Sequence, residues 1–340
     1  MPRVSILLCS YNQAEYLEEA IQSALAQTYG DYELIAIDNG STDASHEILG
    51  RYANDPRVRL FCHKDNAAIT KRFNEGIAAA RGEFASFLYS DDMYLPDKLA
   101  RQVAQFDALP REYGVVYGAA TMLSALTGER WQADSFRESG EVLLGLLTLR
   151  ARGRRDGNID MLSPMARTEC FRRYPFYEDV FAEGEVSLYK LAMSYRFFFL
   201  EGPTVVLRDH AANRGKAVRR NALMTSVCLE RLGGHPAFPV ECSDALRGAR
   251  AALWAGLAWT SVRLDEESDW VRTCYRKAIG ISWKVAAQPK VIAGCALSIL
   301  PRLVRRQING IGHKLRGNLG HRVVVDDYGG SINRATDGGV

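Results

Sequence analysis

Apolar runs and helical stripes alternate through the first hundred residues. Arg3 to Ser10 ("RVSILLCS") is a β-rich apolar run; Leu17, Ala20, Ile21, Ala24 and Leu25 then recur at the i, i+3, i+4, i+7, i+8 spacing of a buried helix face. Tyr32 to Asp38 predicts a second strand. It ends in "NGSTD", a turn in which Ser41 or Thr42 is expected to cap the next helix, with Asp43 in the first turn against the dipole. Arg57 to His63 predicts a third strand, Ile69, Phe73, Ile77 and Ala80 a helix face, and Glu83 to Tyr89 a fourth strand. Pro96 suits the first turn of a helix carrying Leu99, Val103 and Phe106 inward. Such alternation predicts an α/β fold, with a parallel sheet covered by helices on both faces and joined by right-handed crossovers.

After a further strand at Gly114 to Ala120 the pattern loosens. Arg150 to Asp160 is basic, contains glycine and has no period; it reads as a solvated surface loop in preference to a mobile lid. From about Ala217 the chain reads as helices. The expected organisation is therefore an α/β domain over 1–216, a helical, basic C-terminal region over 217–322 and a flexible tail over 323–340.

In a parallel sheet, ligands bind outside the carboxyl ends of the strands. Three of the predicted ends are polar: Ser10-Tyr11-Asn12, Asp38-Asn39 and Ser90-Asp91-Asp92. Asp91 and Asp92 follow an apolar run directly. Charges about 4 Å apart repel by roughly 1 kcal/mol in water and roughly 4 kcal/mol at an effective dielectric near 20, so a compensating partner is expected. Two readings stay open at this point. The acids either cap the helix begun near Pro96, or hold a hard divalent cation, Mg²⁺ or Mn²⁺, that in turn holds a diphosphate.

Composition narrows the function classes. Hydrophobic residues at 47% and charged residues at 24% describe a folded soluble protein and exclude a disordered or fibrous one. The net charge of +3 is uninformative, but its distribution is not: Trp270 to Val325 has no Asp or Glu and carries eleven Lys and Arg. Residues 289–322 read either as a peripheral membrane contact or as a packed helical appendage with a basic exterior. Seven scattered cysteines without a CxxC pair indicate neither a disulfide framework nor a zinc site, which fits a reducing cytoplasm, peripheral at the inner face of the membrane if the first of those readings holds. The N-terminal apolar run is too short for a signal peptide, and Val291 to Leu300 is far short of the roughly 20 residues of a membrane-spanning helix. No GxGxxG follows the first strand, which disfavours a nicotinamide enzyme. Nucleic acid is not an expected partner, since no binding motif with interleaved aromatics is present.

Linked segments carry a more specific signal. "VSILLCSYNQAEYLEEAIQSALAQTYGDYELIAIDNGSTDAS", "NEGIAAARGEFASFLYSDDMYLPDKLARQVAQF" and, further on, "SPMARTECF" resemble the inverting family 2 glycosyltransferases of the GT-A fold. The resemblance implies transfer of a sugar from a nucleoside-diphosphate donor to a hydroxyl of a glycan or lipid-linked acceptor, with Mg²⁺ or Mn²⁺, as in surface polysaccharide synthesis. It puts Ser10, Tyr11 and Glu15 at the nucleotide, Asp38 at the base, Asp91 at the ribose and Asp92 on the metal, with Ser90 in place of the first Asp of a DxD motif. His210 falls where many members place a His near the diphosphate, as a metal or phosphate ligand. Lys71, beside Arg72, reads as a diphosphate contact or as a solvated helix start.

One departure concerns the catalytic base. The family's Glu-Asp pair is replaced by "AEGEVSLYKLA", which leaves Glu185 as the first candidate, Glu183 the second and Asp179 the third, against a pair of solvated glutamates. The missing Asp motivates an alternative function, a sugar-nucleotide-binding protein that has lost catalysis.

Overall fold

β1 (Val4–Ser10) and β2 (Tyr32–Asp38) are buried at every position, which is why their sequences run apolar without alternation: helices cover both faces of the sheet they centre. The computed structural model describes residues 1–152, 158–213, 217–264, 267–300, 304 and 307–308. Among these, the remaining strands are β3 (Val58–Cys62), β4 (Phe84–Tyr89), β5 (Met93–Tyr94), β6 (Tyr113–Ser124), β7 (Arg130–Gln132), β8 (Met165–Arg167) and β9 (Arg196–Asp209). They form one sheet in the order β3-β2-β1-β4-β8-β6-β9-β5, with β7 on β6. β1 to β4 pair in parallel, β8 runs antiparallel between β4 and β6, and β9 lies parallel to β6.

Helices α1 (Ala14–Leu25), α2 (Ser45–Arg51), α3 (Ile69–Ala79) and α4 (Lys98–Ala108) connect or follow the first strands. The expected stripes are the buried faces: Leu17, Ala20, Ile21 and Ala24 on α1, and Leu99, Val103 and Phe106 on α4. Phe106 stacks on Phe84 with centroids 4.4 Å apart, fastening α4 to the sheet. Pro96 lies just ahead of α4, whose N-cap is Asp97.

The cap expected for α2 is not made. Its N-cap is Ala44, and the side chains of the preceding turn reach the neighbouring loop instead. Ser41 Oγ accepts the N–H of Asn12, Asn12 Oδ1 accepts the N–H of Thr42, and Asp43 Oδ2 accepts the N–H of Ala14. The polar groups that looked local thus lace the β1 and β2 loops together. Gly40 makes the turn possible, with φ +77° and a position where a Cβ would lie 2.7 Å from the Asp65 backbone.

The later helices are α5 (Leu143–Ala151), α6 (Thr168–Arg173), α7 (Val186–Ala192), α8 (Val218–Gly233), α9 (Ser243–Arg263), α10 (Ser268–Ile281) and α11 (Pro289–Ile299). The helical reading beyond residue 217 matches these elements, yet the core does not break at 216/217. Cys228, Leu229 and Leu232 of α8 and Leu246 and Ala249 of α9 are buried in the same cluster as the sheet. Only beyond them does a second cluster form, from Trp254, Leu257, Ala258 and Val262 of α9 against Val271, Cys274 and Tyr275 of α10 and Val291 of α11. The expected tail over 323–340 lies outside the described residues.

Candidate active site

Strand register brings the three polar ends level. Ser10 is the partner of Asp38, and Cys9 is the partner of Tyr89, the residue before Ser90-Asp91-Asp92. Ser10 is fully buried, and its Oγ has no hydrogen-bond partner. Asp38 is buried as well: Oδ1 accepts the N–H of Ser41 at 3.1 Å, and Oδ2 lies 3.2 Å from His46 Nδ1. Tyr11 is half-buried and Glu15 exposed in the loop and first turn that follow β1.

The second acid pair is held by the far end of the chain. The N–H of Arg208 donates to Asp92 Oδ1 at 2.7 Å, and Arg208 Nε donates to the Asp91 carbonyl at 3.1 Å. His210 Nε2 lies 3.1 Å from Asp91 Oδ2, Asn213 Nδ2 donates to the same oxygen at 3.3 Å, and the His210 ring packs on Tyr16 at 4.6 Å. His210 therefore does reach the acidic turn, where it meets Asp91. Burial pushes the Asp92 carboxyl well above the usual carboxylate range, and Asp91 and then Asp160 add to the shift, while the Arg208 N–H opposes it.

Asp160 was read from sequence as the end of a solvated loop. The structure corrects this: burial pushes its carboxyl up to about 6, against the N–H of Leu162 that donates to Oδ1 at 2.8 Å, and Glu185 and Asp91 both raise it further. It feels the charges of both Glu185 and Asp91, and Lys98 partly offsets them. Arg150, at the other end of the same presumed loop, is 13% exposed at its side chain and pairs with Glu185. Residues 153–157, between them, lie outside the described residues. A usable signal was present for Asp160, because "IDML" sets one acid inside an apolar run, the same anomaly that marked Asp91 and Asp92. For Arg150 and Arg208 no local signal exists.

The other nominated residues separate. Glu185 sits at the N-cap of α7 with its side chain 27% exposed, so it faces solvent and is held by Arg150. Glu183 is sealed: its side chain is 0% exposed, and Lys190 Nζ lies 2.9 Å from both of its oxygens. Burial pushes Glu183 up and Lys190 down, so desolvation outweighs the attraction within the pair. With no open side toward a substrate, Glu183 is a structural ion pair. Asp179 forms a surface pair with Arg231 at 2.7 Å. Lys71 is exposed and lines an 860 Å³ hollow between α3 and α6 with His63, Asn74, Phe171 and Phe176, apart from the acidic turn. Between the two glutamates, Gly184 occupies φ +57°.

Among the described residues no three His, Cys, Asp or Glu side chains converge as a ready cation cage. The donor set nonetheless fits a divalent ion of the Mg²⁺ type, which takes one or two carboxylates and fills its shell with phosphate oxygens and water. Asp92 is such a carboxylate, buried where the charges of Asp91 and Asp160 disfavour its own.

Residues 5–172 match the family model described as Glycosyl transferase family 2. Among curated relatives, Bacillus subtilis TuaG, a putative teichuronic acid biosynthesis glycosyltransferase, is 34% identical over 103 residues, which are 30% of this chain and 41% of TuaG. The chain spans 17% to 42% of the length of the curated relatives it matches. Among solved structures, S. aureus TarS in complex with UDP-GlcNAc gives a TM-score of 0.61 at 14% identity, covering 92% of each chain. The mannosyltransferase PcManGT of Pyrobaculum calidifontis, in complex with GDP-Man and Mn²⁺, gives 0.56 at 19% identity over 91% of this chain and 84% of its own. At these identities the two structures establish the fold, which is that of GT-A glycosyltransferases.

Proposed function

Residues 5–172 form a domain of glycosyl transferase family 2, and from that premise we propose that the protein is a metal-dependent, inverting glycosyltransferase acting in surface polysaccharide or glycan synthesis. One observation carries the reading. At the carboxyl edge of β4, Asp92 is buried beside Asp91 and Asp160, an accumulation of negative charge that a cation with a bound diphosphate relieves. TuaG, a putative glycosyltransferase, and the mannosyltransferase PcManGT support the class of reaction; TarS with UDP-GlcNAc and PcManGT with GDP-Man and Mn²⁺ support the nucleotide-sugar donor and, in the last case, the metal.

Ser10, Tyr11, Glu15 and Asp38 bind the nucleoside. Asp91, oriented by His210 and Asn213, approaches the ribose, and Asp92 holds Mg²⁺ or Mn²⁺. When bound, that ion neutralises charge growing on the departing diphosphate. Asp160 meets hydroxyls of the donor sugar. Glu185 accepts the proton of the acceptor hydroxyl while the acceptor oxygen bonds to the anomeric carbon and the electron pair of the breaking C–O bond leaves on the diphosphate. Arg150 pairs with Glu185 and orients it for that task.

Transfer and donor hydrolysis by the purified protein over a panel of nucleotide sugars and Mn²⁺ test this. Activity is expected to vanish in EDTA and in Asp92→Ala, and full activity in either would overturn the metal role. Glu185→Gln is expected to abolish transfer with donor affinity retained. Donor binding without turnover on any acceptor would instead favour the sugar-nucleotide-binding alternative.

A further inference from the structure

α11 has its polarity reversed. Its inward face is Val291, Gly294 and Ser298, and Gly294 lies so close to α10 that a Cβ there would sit 1.7 Å from the Tyr275 hydroxyl. Its outward face carries Ile292 and Ile299, 58% and 73% exposed, with exposed Ala296 between them at i, i+4, i+7 spacing. A helix covering a core and facing water has the opposite arrangement.

The same surface continues N-terminally. The short 3₁₀ turn Trp283–Ala287 packs against both α10 and α11 and leaves Trp283 74% exposed, and Ile279 in the last turn of α10 is exposed too. Arg272, Arg276, Lys277, Lys284 and Lys290 on these elements are all exposed. No acid occurs from Trp270 to Val325. Two isoleucines and a tryptophan left in water are unfavourable, and an occupant with an apolar interior would relieve that cost.

We propose that this α10–α11 surface docks in the plane of an anionic lipid bilayer. Ile292, Ile299 and Trp283 enter the boundary between headgroups and acyl chains, and the flanking lysines and arginines meet anionic headgroups. A second copy of the chain fits less well, because it would bring two predominantly cationic faces together, each with Asp269 at the start of α10 already paired to Arg272. Among the described residues no helix is long and apolar enough to cross a membrane. The inference stands apart from the transferase reading, since none of these residues belongs to the acidic site.

Flotation of the full chain with phosphatidylcholine vesicles, with and without phosphatidylglycerol, decides the matter. Binding is expected only to the anionic vesicles and is expected to weaken as salt rises. Ile292→Ser/Ile299→Ser and, separately, Trp283→Ser should weaken it about tenfold or more, with unchanged thermal midpoint and donor binding, and Lys284→Gln/Lys290→Gln should reduce both binding and its salt dependence. Three results would overturn the proposal. They are absence of vesicle binding, as when residues 309–340 of the same chain cover the face; binding that ignores the isoleucine substitutions; and concentration-dependent self-association in sedimentation that Ile292→Ser/Ile299→Ser abolishes.

Discussion

The backbone N–H of Arg208 donates to Asp92 Oδ1 at 2.7 Å across 116 positions of sequence. This bond fixes the turn after β4 to the end of β9, so the acidic turn is shaped before any ligand arrives. It also leaves most of the Asp92 charge uncompensated, because a single amide does not offset burial beside Asp91 and Asp160.

Asp92→Asn separates these two roles. The amide oxygen can still accept from Arg208, so the thermal midpoint should stay within the equivalent of about 1 kcal/mol. Mn²⁺-dependent affinity for a nucleoside diphosphate should fall about tenfold or more, read by titration calorimetry. Equal affinities with and without Mn²⁺ in both proteins would remove Asp92 from the metal site.

Asp160 predicts an unusual pH dependence. Its folded value of about 6 lies above the ordinary 3.8, so the folded state binds the proton more tightly, and stability from this group rises as pH falls through that window. Ionised Asp160 thus costs the metal-free protein on the order of 1–3 kcal/mol above pH 6 and nothing below about 3.8. Asp160→Asn should accordingly be more stable than the parent in urea at pH 8, with the advantage fading towards pH 4. An advantage that does not change with pH would contradict the burial of this carboxylate.

Glu183 and Lys190 predict a loss of stability on separation. Lys190→Met leaves a carboxylate sealed without its cation and should cost about 3–5 kcal/mol, most of it recovered in Glu183→Gln/Lys190→Met. Denaturation midpoints of the four proteins measure the coupling. A double variant that still binds donor and transfers sugar would agree with a structural pair; one that folds fully yet has lost only transfer would return Glu183 to the list of bases.

Two glycines test backbone conformation against space. At Gly184, with φ +57° and nothing within 4 Å of an added Cβ, alanine should cost only the left-handed penalty of about 1–2 kcal/mol. At Gly40 the same penalty is joined by a 2.7 Å approach to the Asp65 backbone, so Gly40→Ala should be the more damaging and should also loosen the nucleoside loops. Thermal midpoints of the two variants give the order.

Legibility followed the range of the interactions. Ser10, Asp38, Asp91 and Asp92 could be read because each ends a strand of a local β–α–β unit, and parallel pairing then obliges those ends to share one edge. The cap of α2 failed for the converse reason, since Ser41 and Thr42 had a competing partner in Asn12, thirty residues back. Arg150 and Asp160 failed because a stretch without period looks solvated whether or not its ends turn inward.

By itself, then, the order of residues determined the sheet, its covering helices and the polar edge that the strand ends share, because burial periodicity and strand direction are short-range properties. Tertiary structure alone decided which acids work together. Asp160 and Arg208 reach the acidic turn only after β8 and β9 return to the sheet, Glu183 and Glu185 differ only through the cations that α7 and α5 bring to them, and the apolar face of α11 counts as outward only because α9 and α10 fill its other side. Contacts between distant segments leave no period in the chain that makes them.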